Sequence, residues 1–395
     1  MTIATHIKTK ITGSSWIRKM FEEGARLKAE HGVGNVFDFS LGNPNLEPPE
    51  QFGNALKNAV AFSTGKDHGY MPNTGYPHVR KAVAEYLFKE QGVRVSGNDV
   101  IMTCGAAGAL NAILKAILDP GDEVITPAPY FVEYGFYADN HGGILKTVPT
   151  KPDFSLDIDA VSGAITGKTK AILINSPNNP TGQIYSKESI DELGRLLKEK
   201  GKALNRTLYL ISDEPYRKIV YEGYAVPSIF ESYNESIIAN SYSKDISIPG
   251  ERIGYIAVHP DASFNKELIE GMALTNRILG FVNAPALMQR VVASCQGSRV
   301  DITAYARKRD LLCNGLEKCG YDFVKPPGAF YLFPKTPVSD DVAFVKALQK
   351  ELILVVPGSG FGGPGHFRIA YCVDDLTITN AMPGFERVMK KFKDR

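Results

Sequence analysis

The sequence predicts an α/β protein in which a large domain, with a mostly parallel sheet flanked by helices, is followed by a smaller α+β domain. From about Val100 onward, short apolar runs alternate with helical patterns, as in βαβ units. Beyond about Pro285, a long helical tract precedes short strands and a final helix. We therefore expect an N-terminal arm with part of the small domain at 1–46, a large domain at 47–284 and a small domain at 285–395.

The individual elements follow from local patterns of apolar residues and turn signals. Apolar residues recur at helical spacing within 106–118, Pro120-Gly121 ends that helix, and 187–200 has the pattern of an amphipathic surface helix. Large-domain strands are predicted at 100–103, 123–126, 171–175, 208–212 and 236–240. In the small domain we expect a helical tract over 285–316, strands near 330–333, 353–356 and 367–371, and a helix near 378–392.

Composition excludes several classes of function. The 395 residues carry a net charge of +2 with both signs mixed, so we expect no nucleic-acid partner. No apolar stretch reaches the ~18 residues of a membrane span, and the first residues lack the apolar run of a signal peptide. The five cysteines are scattered without a CxxC pair, which predicts neither a disulfide framework nor a metal site. We expect a cytoplasmic protein.

The segment Ser241-Tyr242-Ser243-Lys244-Asp245 carries the strongest chemical signal. Lys244 follows a predicted strand and lies between hydroxyls, and Arg252 comes shortly after it. A lysine that burial and nearby cations deprive of its proton forms imines with carbonyl compounds. Serines and an arginine beside it suit a phosphate, so the stretch indicates pyridoxal phosphate. Taken alone, a solvated strand end explains the same residues equally well.

Further candidates lie where other predicted strands end, because ligands of doubly wound sheets bind at the carboxyl ends of the strands. Small residues at Gly105, Ala106 and Ala107 would let a phosphate approach a helix N-terminus, although close packing also explains them. Asp213 is placed to face a pyridinium nitrogen and Tyr216 to donate to a phenolate oxygen, but an acid that caps a turn is an alternative.

Three more side chains stand out. Asn179 lies in a turn that follows the strand 171–175, and Phe131 could stack on a flat ring or simply pack in the core. Arg368 lies inside an apolar strand, where an unpaired guanidinium is costly. Its partner is therefore either an internal acid or a substrate carboxylate, and the backbone near Gly42 could reach the same carboxylate.

Together these residues make the chain resemble the class I/II pyridoxal-phosphate aminotransferases of fold type I, and aspartate aminotransferases in particular. The resemblance covers nearly the whole length, and its motifs occur in the order found in that family. They are Leu41-Gly42-Asn43-Pro44, Tyr70 with Gly75-Tyr76-Pro77, Gly105-Ala106-Ala107, Asn179-Pro180-Thr181-Gly182, Asp213-Glu214-Pro215-Tyr216, Ser241 to Lys244, Arg252, Gly328-Ala329-Phe330-Tyr331 and Arg368.

The resemblance implies a role for each of these residues. Lys244 forms an internal aldimine with pyridoxal phosphate and then moves the proton between the substrate α-carbon and the cofactor. The catalytic set is Lys244, Asp213 and Tyr216. The cofactor is bound by those three with Gly105, Ala106, Ala107, Phe131, Asn179, Ser241, Ser243, Arg252 and Tyr70. The substrate carboxylate is bound by Gly42, Asn179 and Arg368. Tyr70 reaches the neighbouring subunit, which implies a homodimer with shared active sites.

The implied reaction is transfer of an α-amino group between an L-amino acid and a 2-oxo acid, with aspartate and 2-oxoglutarate as the best guess. The sequence leaves open which residue contacts the substrate side chain: Arg277 is one candidate, and Ser14 or Ser15 in the N-terminal arm is another. A C–S lyase or an aminocyclopropane-carboxylate-synthase-like enzyme is the alternative, since both use the same set of residues. A regulatory protein that kept the scaffold without turnover is a third interpretation, which the intact Lys244 and Asp213 argue against.

Overall fold

The computed structural model describes residues 3–12 and 16–393. The strands, in chain order, are β1 (Phe37–Asp38), β2 (Val100–Thr103), β3 (Glu123–Ala128), β4 (Ile144–Pro149), β5 (Thr169–Asn175), β6 (Tyr209–Asp213), β7 (Ser236–Ser241), β8 (Gly254–Val258), β9 (Tyr331–Leu332), β10 (Ile353–Leu354), β11 (Val356–Pro357) and β12 (Phe367–Ala370). The helices are α1 (Thr5–Thr12), α2 (Trp16–His31), α3 (Glu50–Ala61), α4 (Pro77–Gln91), α5 (Gly105–Ile117), α6 (Glu133–Asp139), α7 (Ile158–Ala164), α8 (Lys187–Leu204), α9 (Asn265–Ile278), α10 (Ala286–Ala293), α11 (Ile302–Lys318), α12 (Asp341–Lys350) and α13 (Asp375–Lys393).

A seven-stranded sheet forms the centre of the large domain. Its strand order is β2-β8-β7-β6-β5-β3-β4, and only β8 runs antiparallel to its neighbours. The central strands β6, β7 and β8 are buried along their whole length, because helices cover both faces of the sheet. The predicted α/β class with a mostly parallel sheet is confirmed.

The edge strand β4 was not predicted from the sequence. It pairs with β3, and most of its residues are exposed or only partly buried. An edge strand of this kind needs no continuous apolar run, which is the pattern that identified the buried strands.

The small domain contains two small sheets. Strands β11, β12 and β9 form an antiparallel sheet, while β1 pairs in parallel with β10, so that residues near the N-terminus lie with the C-terminal part of the chain. Helices α11 and α13 pack together, and one apolar cluster joins Phe39, Leu312, Phe344 and Phe385.

The predicted helical tract over 285–316 is two helices. Helix α10 ends at Ala293 and α11 begins at Ile302, after the Asp301 side chain accepts a hydrogen bond from the backbone N–H of Thr303. Helix α10 contributes Val291 and Val292 to the apolar cluster of the large sheet. We retain the division at 46/47 and 284/285 as a proposal, and this packing favours a second boundary nearer to α11.

The sheet brings several polar candidate residues together at one edge. In the ladder, Asn175 at the end of β5 is opposite Asp213 at the end of β6, and Asp213 is opposite Ala239 near the end of β7. The loops that follow these strands therefore meet at the same carboxyl edge, where the small domain approaches them. No helix in the described ranges 3–12 and 16–393 is long and apolar enough to cross a membrane.

Candidate active site

A cavity of about 340 Å³ lies where the carboxyl edge of the large sheet meets the small domain. Its walls come from both domains: Asp213 ends one strand of the large sheet and Lys244 follows another, whereas Tyr331 and Arg368 belong to the small domain. Gly42 from the segment after β1 completes the wall. A cavity of this size suits a small organic ligand.

Lys244 lies in the loop after β7, and its environment disfavours the ammonium. Burial lowers its pKa to about 8, and the nearby charges of Arg368 and Arg252 act in the same direction. The ammonium donates to the carbonyl oxygen of Gly42 at 2.7 Å and lies 5.7 Å from the centre of the Phe330 ring. The lysine therefore yields a neutral amine near neutral pH, as a nucleophile or general base requires.

Asp213 has an incomplete set of hydrogen bonds. Its side chain is buried, Oδ2 accepts a hydrogen bond from the Tyr134 hydroxyl at 2.6 Å, and Oδ1 receives none within the described part of the chain. Burial raises the pKa of the carboxyl to about 7, and the charge of Glu214 adds to this effect. A buried oxygen without a donor is costly, so Oδ1 is a place for a ligand N–H.

Asn175 ties two neighbouring loops together. Its Nδ2 donates to the carbonyl oxygen of Asp213 at 2.8 Å, and its Oδ1 accepts from the backbone N–H of Asn179 at 2.7 Å. Since Asn175 is the last residue of β5, these two hydrogen bonds fix Asn179 relative to Asp213 at the end of the neighbouring strand.

The end of the cavity near the N-terminus of helix α5 suits an anion. Helix α5 begins at Gly105, and no side chain from the described residues caps its N-terminus, so its first N–H groups and its dipole are available at this end of the cavity. Gly105 has φ = +71°, and a Cβ there would lie 3.1 Å from the Arg252 guanidinium. Ala106, Ala107 and Ser243 line the same region.

Arg368 is buried at 2% exposure without an acidic partner among the described residues. One Nη donates to Asn179 Oδ1 at 3.0 Å, and the other donates to the carbonyl oxygen of Ser40. The guanidinium lies 4.9 Å from the centre of the Tyr331 ring and 4.7 Å from that of Phe361. Its Nε has no hydrogen-bond partner among the residues that the structure describes. Such a charge is neutralised only when an anion enters the cavity.

Tyr331 links the two sides of the cavity. Its hydroxyl lies 2.7 Å from the hydroxyl of Tyr216. It also lies so close to Gly42 that a Cβ there would come within 2.0 Å of the hydroxyl oxygen. Only glycine fits at position 42 without moving Tyr331.

Two aromatic side chains from the segment after β3 line the remaining wall. Phe131 is partly buried and meets Tyr134 edge-on, with ring centres 5.6 Å apart. Tyr137 lies one helical turn beyond Tyr134, and burial raises its pKa. Flat apolar walls of this kind suit the face of an aromatic ring.

Comparison with known proteins identifies the family. The family model described as aminotransferase class I and II matches residues 34–384. The chain belongs to this family. The aspartate/prephenate aminotransferase of Thermus thermophilus is 36% identical over 89% of the chain and 90% of its own length.

Solved structures of aminotransferases have the same fold. An amino transferase from Eubacterium rectale superposes with a TM-score of 0.96 at 40% identity, over 99% of each chain. The aspartate aminotransferase of Thermus thermophilus with maleate gives a TM-score of 0.87 at 32% identity, over 98% of this chain and 100% of that one.

In this aminotransferase, the structure brings most of the predicted residues into one cavity. Those that line it are Gly42, Ala106, Ala107, Phe131, Asn179, Asp213, Tyr216, Ser241, Ser243, Lys244, Arg252 and Arg368. Gly105 lies beside Arg252 at the same end.

Two of the remaining predicted residues, Tyr70 and Arg277, lie on the surface of the protein. Tyr70 is 98% exposed, and Arg277 is exposed in the last turn of α9. Neither of them lines the cavity. Ser14 and Ser15 lie outside the described residues.

Sequence reasoning gave no role to Tyr134, Asn175, Tyr137 or Tyr331. Asn175 ended a predicted strand and Tyr331 ended a matched motif, so position in the sequence offered a signal for both. Tyr134 and Tyr137 lie in a short helix of mixed composition, where nothing in the pattern separates a cavity residue from a core residue.

Proposed function

We propose that the protein is a pyridoxal-phosphate aminotransferase that moves an α-amino group between an L-amino acid and a 2-oxo acid, with aspartate and 2-oxoglutarate as the pair. The observation that carries this proposal is a cavity that joins three buried ionisable groups. These are Asp213, whose Oδ1 has no donor among the described residues, Lys244 with its lowered pKa, and Arg368, which has no acidic partner in the same part of the chain.

The donor set fits pyridoxal phosphate. Asp213 Oδ1 suits a protonated ring nitrogen, and Phe131 offers a face for the ring. The N-terminus of α5 and Arg252 suit the phosphate. When bound, the cofactor supplies an electron sink for the carbanion that forms at the substrate α-carbon. Tyr216 and Asn179, which line the cavity, would hold the phenolate oxygen of the ring.

The chain's own groups then bind the substrate and move its proton. Arg368 binds the substrate α-carboxylate, because its planar fork presents two N–H groups to two oxygens. Lys244 Nζ takes the proton from the substrate α-carbon, which its lowered pKa permits near neutral pH. The neighbouring ring of Tyr331 and the Gly42 backbone restrict the orientation of the carboxylate.

The choice of aspartate follows from the relatives named for it. Each cation that lines the cavity already has a proposed role: Lys244 in proton transfer, Arg252 at the phosphate and Arg368 at the α-carboxylate. A second carboxylate therefore needs a cation from outside this cavity. We assign that role to Arg277 of a second subunit.

A homodimer would supply that second subunit. Tyr70 is 98% exposed, and the nearby segments carry further exposed apolar side chains at Phe62 and Ile278. Apolar side chains exposed to this degree favour burial against another chain. In the proposed dimer, Tyr70 reaches the phosphate of the neighbouring subunit. The reduced cysteines favour a cytoplasmic location.

An absorbance spectrum followed by a donor screen tests the function. We expect a visible band from bound pyridoxal phosphate that shifts to shorter wavelength when an amino acid donates its amino group, and that shifts most readily with aspartate. Release of pyruvate and ammonia from a cysteine conjugate, without an oxo-acid acceptor, would instead establish the lyase alternative. No band after addition of pyridoxal phosphate would contradict the proposal.

A further inference from the structure

The two carboxylate oxygens of Asp213 have unlike surroundings. Oδ2 accepts the Tyr134 hydroxyl at 2.6 Å, whereas Oδ1 is buried with no donor from the described residues. Tyr134 is itself only 1% exposed. One oxygen is therefore held by the protein, while the other is left for a ligand.

The position of the Tyr134 hydroxyl is fixed by packing. The ring belongs to the apolar cluster that contains Leu110 of α5 and Ile211 of β6, and it meets Phe131 edge-on at an interplanar angle of 87°. A side chain enclosed in this way keeps one rotamer. The hydroxyl consequently stays on Oδ2, and the carboxyl plane has one preferred orientation.

The other groups that face Asp213 do not stabilise its charge. Glu214 and burial both raise the pKa of the carboxyl, and the Tyr134 hydrogen bond opposes them. The phenols of Tyr216 and Tyr137 also face this pair. No cation among the described residues forms an ion pair with Asp213.

We propose that Tyr134 is a positioning residue that holds Asp213 through Oδ2, so that the carboxylate is ionised and its Oδ1 is directed at the ring nitrogen of the cofactor. This inference rests on the proposed function. It adds a second layer to the site: Tyr134 acts on the cofactor only through Asp213. A donor that favours the ionised carboxylate strengthens its hold on a pyridinium N–H.

Two ligands separate this role from a structural one. The dissociation constants of pyridoxal phosphate and of its analogue with C–H in place of the ring nitrogen are measured on the cofactor-free protein and on Tyr134→Phe. We expect the wild type to prefer the ring nitrogen and Tyr134→Phe to lose about tenfold or more of that preference, as for a hydrogen bond to a charged group. Equal weakening of both ligands, or an unchanged preference, would overturn the inference.

Tyr233→Phe is the matched control. Its hydroxyl donates to the carbonyl oxygen of Leu208 at 2.8 Å, next to the start of β6, at the opposite end from Asp213. The change removes a phenol hydrogen bond beside the same strand without touching the carboxylate. We expect the ligand preference to stay at the wild-type value. An equal loss in both variants would mean that the effect passes through the strand, and the inference would be wrong.

The outcomes also separate this inference from the proposed function. If the wild type binds neither ligand, the proposed function fails and the inference fails with it. If the wild type prefers the ring nitrogen and Tyr134→Phe keeps that preference, only the role of Tyr134 is wrong. Should Tyr134→Phe not fold, 3-fluorotyrosine at position 134 retains the ring and strengthens the donor. The preference must then rise, and an unchanged preference overturns the inference.

Discussion

The two halves of the cavity are prepared to different degrees. In the half formed by the large sheet, Asp213 Oδ1 has no donor within the described part of the chain, and Lys244 has a pKa lowered by burial. In the half formed by the small domain, Arg368 already has hydrogen bonds to Asn179 and Ser40 and lies between two aromatic rings. In the first half, the buried ionisable groups lack partners that a bound cofactor would supply. In the second half, the protein itself supplies most of the hydrogen-bond partners of Arg368.

The two halves differ in how much stability the protein loses by keeping these groups buried without a ligand. Buried groups with shifted pKa values destabilise an empty protein, and they persist where a ligand or a reaction uses them. The guanidinium of Arg368 costs less, because the protein supplies most of its partners.

Lys244→Met should have opposite effects on activity and stability. Loss of the amine removes the proposed general base, so we expect kcat to fall on the order of 10⁴-fold. The cofactor-free protein should become more stable at pH 7 by roughly 1–3 kcal/mol, because the folded state no longer contains a buried ammonium. Turnover assays and denaturant unfolding of the cofactor-free protein measure the two effects.

The gain in stability should depend on pH. The pKa of Lys244 is about 8 in the folded protein and 10.5 as the reference value for an exposed lysine, so the cost of the ammonium is fully present below pH 8. It shrinks as pH rises from 8 toward 10.5, where both states lose the proton. A stability difference that stays constant from pH 7 to pH 9.5 would contradict this account.

Arg368→Ala should weaken substrate binding in the half of the cavity formed by the small domain and should leave cofactor binding unchanged. Truncating one member of a buried, hydrogen-bonded charge site costs ~2–5 kcal/mol, so kcat/KM should fall by ~30-fold to ~5,000-fold for every amino acid. The absorbance of bound cofactor should be unchanged, since the proposed partner of Arg368 is the substrate and not the cofactor. Arg368→Lys should recover little, because lysine lacks the bidentate fork. A cofactor spectrum altered as much as turnover would show that the two halves are not separate.

Arg277→Ala tests whether the cavity is completed by a second subunit. We expect KM for aspartate to rise about tenfold, as for loss of a charge-assisted contact, and KM for alanine to stay the same. Steady-state kinetics with both donors make the comparison. Equal changes in KM for aspartate and alanine would exclude Arg277 as the residue that binds the side-chain carboxylate of the substrate.

Tyr331→Phe should have the smallest effect. The change removes the hydroxyl that lies 2.7 Å from the Tyr216 hydroxyl but keeps the ring beside Arg368. A neutral hydrogen bond contributes ~0.5–1.5 kcal/mol, so kcat should fall only ~2-fold to ~13-fold. Loss of folding, or a fall as large as that of Arg368→Ala, would mean that Tyr331 does more than support Tyr216.

Much of the fold and the site could be predicted because both leave local signals. Strands buried on both faces appear as apolar runs, and the polar residues that follow them in the chain must lie at one edge of a parallel sheet. Lys244, Asp213 and Asn179 were found in this way, and they line one cavity. Arg368 was noticed because a cation in a buried strand needs an anion.

The tertiary structure alone decided which partners those side chains have. The sequence left the partner of Arg368 open between an internal acid and a substrate, and the fold brings Asn179 and Ser40 to it, 189 and 328 positions away along the chain. Tyr134 reaches Asp213 across 79 positions, and its helix shows no pattern that marks it. Local composition determines the type of each element and the chemistry of each strand end. Hydrogen-bond partners depend on packing between distant segments, which no local pattern contains.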